Sequence, residues 1–77
     1  MNTFTITRRE KEIIQLMSRG LSSKQIAYEL HISLYTVQAH RRNILKKMNQ
    51  NNSISVISMA LNAGLINLQV PQVLQVA

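Results

Sequence analysis

The sequence predicts an all-α fold, a compact domain of four helices, and three observations carry that prediction. Two capping boxes of the same form, Thr7–Glu10 and Ser22–Gln25, mark helix starts. Apolar residues recur behind them at i, i+3, i+4 spacing. Gly20 and Gly64 stand where helices should stop in a left-handed turn. With 77 residues the chain suffices for one domain. Its core must be small, so a partner subunit would help it fold.

In the first segment, TRREKEIIQLMSRG, the Thr7 hydroxyl takes an orphan amide and the Glu10 carboxylate reaches back. Ile13, Leu16 and Met17 share the expected inward face, and Gly20 ends the helix. The second segment, SSKQIAYEL, repeats the device from Ser22. Ile26, Ala27 and Leu30 make a short inward face, and Ala27 is small enough to let a neighbouring helix close in. The break HIS has neither Gly nor Pro. His31 is expected to take the left-handed conformation, which His tolerates better than most side chains. Ile32 acts as a staple and Ser33 as the next N-cap.

The third segment runs from Leu34 to about Met48. On a helical wheel Val37, Ile44 and Met48 fall on one side, and Tyr35, Gln38, Ala39, Arg42 and Lys46 on the other. Arg41, Leu45 and Lys47 occupy the flanks, and His40 sits between Val37 and Ile44 as a packing residue. A polar loop, Asn49 to Ser53, precedes the fourth helix, ISVISMALNAG, which is nearly apolar all round apart from Ser55, Ser58 and Asn62. A helix apolar on two faces needs two partners, and this thin domain supplies one. The remainder, with Pro71 and no helical period, is expected to be extended or disordered. The division is therefore a domain over 1–66 and a tail over 67–77.

Charge narrows the function. Nine Lys and Arg against three acids give +6, with a pI near 10.6, so polyanions attract the chain. Every charged side chain lies between Arg8 and Lys47. No cysteine is present, no apolar run follows a basic start, and no segment approaches a membrane span of ~20 residues. These features fit a reducing cytoplasm. Two histidines without Cys or clustered carboxylates give no metal site, and no nucleophile motif appears, so neither an enzyme nor a cofactor is expected.

Two short helices joined by a tight turn, the second basic and outward-facing, describe a helix-turn-helix. On that geometry Tyr35, Gln38, Ala39 and Arg42 enter the major groove of double-stranded DNA, and the second helix aims its amino end at phosphates. Arg42 can fork onto guanine O6 and N7, worth ~1–3 kcal/mol of discrimination. Gln38 can read adenine, Ala39 can touch a thymine methyl, and Tyr35 can meet a phosphate or base edge. The plainer alternatives are a phosphate contact for Arg42, a water-bridged amide for Gln38, and packing for Tyr35. Ser23, Lys24, Thr36, Arg41 and Lys46 are the expected backbone contacts, with a merely solvated group as the alternative for each. Lys47 lies toward the back of the helix, where a structural role fits.

Residues 5–66 closely resemble the LuxR/GerE-type DNA-binding domain. The resemblance rests on Ile6-Thr7, Arg9-Glu10, Gly20, Ser22, Lys24, Ile26-Ala27, Ile32-Ser33, Thr36-Val37, His40, Ile44 and Lys47-Met48. It continues through Asn52, Ala60 and Gly64-Leu65-Ile66. The chain departs from the family pattern at Gln38, Gln50, Ser53 and Val56. The resemblance implies a LuxR/GerE-like four-helix fold and bacterial transcription regulation. It also implies a homodimer formed through the fourth helix, with Ser55, Ser58, Met59 and Asn62 as the expected pairing face. RNA polymerase is a further expected partner. The competing reading keeps the fold but uses the basic face as a protein adaptor docking on the transcription machinery. A basic amphipathic membrane binder is a third reading, against which the capping boxes and core pattern count.

Overall fold

The computed structural model describes residues 5–67, and each of its four helices begins on a side-chain cap. Helix α1 spans Arg8–Ser18, α2 Ser23–Leu30, α3 Leu34–Lys47 and α4 Ser53–Asn62. Both capping boxes form. The Thr7 hydroxyl accepts from the Glu10 amide at 3.1 Å, and the Glu10 carboxylate accepts from the Thr7 amide at 2.9 Å. Ser22 and Gln25 exchange the equivalent bonds at 3.2 and 2.8 Å. Ser33 caps α3 by accepting from the Thr36 amide at 3.0 Å, and Asn52 caps α4 through the Ser55 amide at 2.8 Å.

The helices also end alike. Leu21, Ile32, Gln50 and Leu65 each donate a backbone N–H back to Leu16, Ala27, Leu45 and Ala60, at 3.2, 3.0, 2.9 and 2.9 Å. The residue before each donor is in the left-handed region: Gly20, His31, Asn49 and Gly64. This is the Schellman closure, which satisfies carbonyls that a helix end leaves unpaired. His31 has φ 58° as the sequence predicts, whereas the role of Asn49, with φ 54°, was hidden in a polar loop.

The closures fold the helices onto one core. Ile13 and Ile14 of α1, Ile26 of α2, Val37 and Ile44 of α3, and Val56 and Ala60 of α4 are sealed from water, with Met48 and Ile66. Each fully buried large aliphatic side chain stabilises the fold by roughly 1.5–3 kcal/mol. Helix α1 packs against all three others, α2 against α3, and α3 against α4, but α2 and α4 do not meet. One sequence expectation needs correction. Ile14 takes the sealed place assigned to Leu16, which is half-buried at the edge of the core. Leu65 and Ile66 show no helical period yet pack on the core, because the Schellman turn at Gly64 folds them back. Of the expected tail, only Asn67 falls within the described residues.

A buried ion pair ties the two longest helices together. Glu10 is 3% exposed, and the Lys47 ammonium donates to both its carboxylate oxygens at 2.8 and 3.0 Å. Burial works to raise the carboxyl's pKa; the bonds from Lys47 and Thr7, with the Lys47 charge, outweigh it and hold the group below its usual value. Lys47 is thus structural, as its place at the back of α3 suggested. Among the described residues no buried side-chain polar atom lacks a partner.

Candidate nucleic-acid interface

The helix-turn-helix is α2, the turn at His31–Ser33, and α3. Its turn is rigid for local reasons. Ile32 and His31 donate to Ala27 and Tyr28 at 3.0 and 3.3 Å, and the Ser33 hydroxyl donates to the Thr36 hydroxyl at 2.9 Å. Val37 and Ile44, at 0% and 1% exposure, clamp α3 to the core by its inner face. The opposite face is left to solvent, and the side chains expected to read bases stand on it. Tyr35 is 73% exposed, Gln38 and Arg42 are exposed, and Ala39 is half-buried between them.

Four of the expected contact residues come together across the two helices. Ser23 from the start of α2 joins Gln38, Arg41 and Arg42 of α3, with Leu45, around one shallow depression. The Gln38 amide, the Arg41 and Arg42 guanidinium groups and the amino end of a helix therefore share one surface. Lys24 is exposed one residue further along α2, beside Tyr28 in a separate shallow depression. Lys46 is exposed in the last turn of α3, where it also complements the helix dipole. Thr36 is half-buried and its hydroxyl already accepts from Ser33.

Arg41 carries a role that sequence reasoning missed. Its guanidinium donates to the Ser53 hydroxyl at 2.7 Å and so fastens α3 to the first residue of α4. A guanidinium has five N–H donors, so this bond leaves others for a phosphate. On α4, Ser58 and Asn62 are exposed, while Ser55 and Met59 are half-buried, Met59 against the chain's own core. The most exposed apolar side chain of α4 is Ile54, at 80%, which the sequence reading did not single out. His40 is half-buried, as its flank position predicts.

Among the described residues no group of three or more His, Cys, Asp or Glu is placed to hold a metal ion. No described helix is long and apolar enough to cross a membrane.

Comparison with known proteins identifies a family. The pattern described as "Bacterial regulatory proteins, luxR family" matches residues 5–60. The response regulatory protein YgeK of Escherichia coli is 44% identical over 59 residues, covering 77% of this chain and 40% of that protein. The transcriptional regulatory protein FixJ of Rhizobium meliloti is 38% identical over 60 residues, covering 78% of this chain and 29% of its own length. The chain thus spans two fifths or less of these two curated relatives. The solved structure of the transcription factor GerE superposes with a TM-score of 0.80 at 36% identity, covering 83% of this chain and 96% of GerE. A Vibrio cholera VqmA–ligand–DNA complex superposes with a TM-score of 0.75 at 27% identity, over 96% of this chain and 32% of VqmA.

Proposed function

The chain belongs to the luxR family of bacterial regulatory proteins, and from that premise we propose that it binds double-stranded DNA sequence-specifically as a homodimer and regulates transcription. The observation that carries this reading is the two-sided character of α3. Val37 and Ile44 bury one face completely, while Tyr35, Gln38 and Arg42 stand free on the other. A helix held so firmly from behind can enter the major groove without reorganising, which spares the ordering cost of binding.

Roles then divide by chemistry. Arg42 forks onto a guanine, Gln38 pairs with an adjacent adenine, Ala39 lets the helix sit deep, and Tyr35 meets the edge of the groove. Ser23, Lys24, Thr36, Arg41 and Lys46 take phosphates and set register without reading sequence. Helix α4 pairs with its counterpart through Ile54, Ser55, Ser58, Met59 and Asn62. Ile54 supports that assignment, because an apolar side chain 80% exposed at a helix start is a natural anchor for a second copy.

Selection of bound duplexes from a random library tests specificity and symmetry together. The expected product is a two-fold symmetric site whose affinity falls steeply with salt. Arg42→Ala should lose about 1–3 kcal/mol of discrimination at one base pair per half-site, roughly fivefold to 150-fold. An Arg42→Ala protein with unchanged affinity and unchanged base preference would end the assignment of α3 as reader. An adaptor, by contrast, would keep its protein partner in the presence of excess random DNA.

A further inference from the structure

One side-chain hydrogen bond joins the candidate DNA face of α3 to the start of α4. The Arg41 guanidinium donates to the Ser53 hydroxyl at 2.7 Å, twelve positions on. Arg41 also lines the depression that holds Gln38 and Arg42. Ser53 is the first residue of α4, and Ile54, 80% exposed, follows it directly. Among the described residues no other side-chain hydrogen bond links α3 to α4. Arg41 and Ser53 are both half-buried, so water screens the bond only in part.

The loop that the bond spans is closed by contacts of its own. The Gln50 amide donates to the Leu45 carbonyl at 2.9 Å, and the Gln50 side chain donates to the Met48 carbonyl at 3.2 Å. Asn52 caps α4 through the Ser55 amide at 2.8 Å. A connection tied at both ends has little slack, so the guanidinium clasps α4 at a set place on α3.

We propose, on the DNA-binding and α4-pairing reading above, that Arg41 is a positioning residue that couples DNA binding to the pairing of two chains. A guanidinium is planar and carries five N–H donors in a fixed fork. One is taken by Ser53, and those that remain take a DNA phosphate. A single rigid plane then sets the phosphate against the Ser53 hydroxyl, one residue from Ile54. Each pairing face is thereby registered on the DNA backbone, as the fixed spacing of two half-sites requires. The effect is reciprocal: DNA that orders Arg41 favours pairing, and pairing favours the phosphate contact. A lysine at this position would hold no such angle, because an ammonium is a point charge on a flexible stem. Ser53 is one of the four positions at which the chain departs from the family pattern, so the resemblance implies no such clasp.

The test compares duplexes with one and with two half-sites, taken from those the full chain selects from a random library. The readout is the ratio of two-site to one-site affinity in a gel-shift titration at fixed salt. Ser53→Ala should lower that ratio about fivefold, the low end of couplings between sites, while one-site affinity stays within about twofold of the parent. Asn52 rather than Ser53 caps α4, so the helix survives the change. Ser53→Thr keeps the hydroxyl and should keep the ratio. Arg41→Lys keeps the charge and should lose the ratio, and adding Ser53→Ala to it should change nothing further. An unchanged ratio in Ser53→Ala, equal losses on both duplexes, a Ser53→Thr chain no better than Ser53→Ala, or an additive double variant would each overturn the proposal. A parent chain that binds no duplex, or shows no preference for two half-sites, would instead sink the DNA-binding reading and the clasp with it.

Discussion

Replacing Lys47 by methionine removes the counter-charge of Glu10 and keeps most of the aliphatic packing. Taking one partner from a buried ion pair costs about 3–5 kcal/mol when the other is left uncompensated. Here the Glu10 side chain is 4% exposed but that of Lys47 is 33% exposed, so water weakens the pair, and Glu10 keeps its bond from the Thr7 amide. Discounting for that screening gives about 2 kcal/mol. For a domain of this size each 1 kcal/mol moves Tm by about 4–8 °C, so the variant should melt roughly 10–15 °C lower. Acidity supplies a second signature. The folded-state carboxyl lies below its usual value. Its stabilisation is therefore complete above the unfolded pKa of about 4.3 and is lost as pH falls through the lower, folded value. Lys47→Met should flatten that acid limb, and Glu10→Gln with Lys47→Met together should cost less than the sum of the two. Calorimetry between neutral and acid pH checks all three outcomes. A Tm drop under about 2 °C for Lys47→Met, equivalent to less than ~0.5 kcal/mol, would show that the ion pair does not hold α3 to α1.

Other expected outcomes follow from the caps, the turn and the surfaces. Ser33→Ala removes the N-cap of α3 and should destabilise the domain by about 1 kcal/mol in urea titration. His31→Val places a β-branched residue at a left-handed position and should cost about 1–2 kcal/mol, while His31→Gly stays within about 1 kcal/mol of the parent, by the same titration. Lys24→Ala and Lys46→Ala should each weaken all duplexes about equally and lower the slope of log affinity against log salt by about 1. Ile54→Asp should shift the sedimentation equilibrium toward monomer with an unchanged circular dichroism spectrum, since its side chain is 80% exposed; a dimer that persists places the pairing surface elsewhere.

What the sequence made legible was what depends on neighbours in the chain. Thr7, Ser22 and Ser33 act on amides three residues away, so their caps can be read from spacing alone. The left-handed His31 was legible because the break between two periodic segments leaves few residues to make it. What stayed hidden depends on distance. Glu10 and Lys47 are 37 positions apart: the spacing shows one as a capping carboxylate and the other as a residue at the back of α3, but nothing in it pairs the two. Arg41 and Ser53 meet across the loop between α3 and α4, which no periodicity describes. Ile14 and Leu16 both fit an amphipathic α1, and only packing by α2, α3 and α4 together decides that Ile14 is sealed. Gln15 belongs to the same class, since its partner Asn67 lies 52 residues on.

The Glu10–Lys47 pair also bears on transplantation. A recognition helix is an attractive unit to exchange between relatives when a new DNA preference is wanted. Moving α3 here would carry Lys47 into a host that must offer a carboxylate at the same depth, and would strand Glu10 in the chain left behind. A chimera that moves the two positions together, or neutralises both, should fold where one that moves α3 alone is crippled. If α3 reads DNA as proposed, the smallest portable unit is therefore α3 with the first turn of α1, two pieces far apart in the sequence.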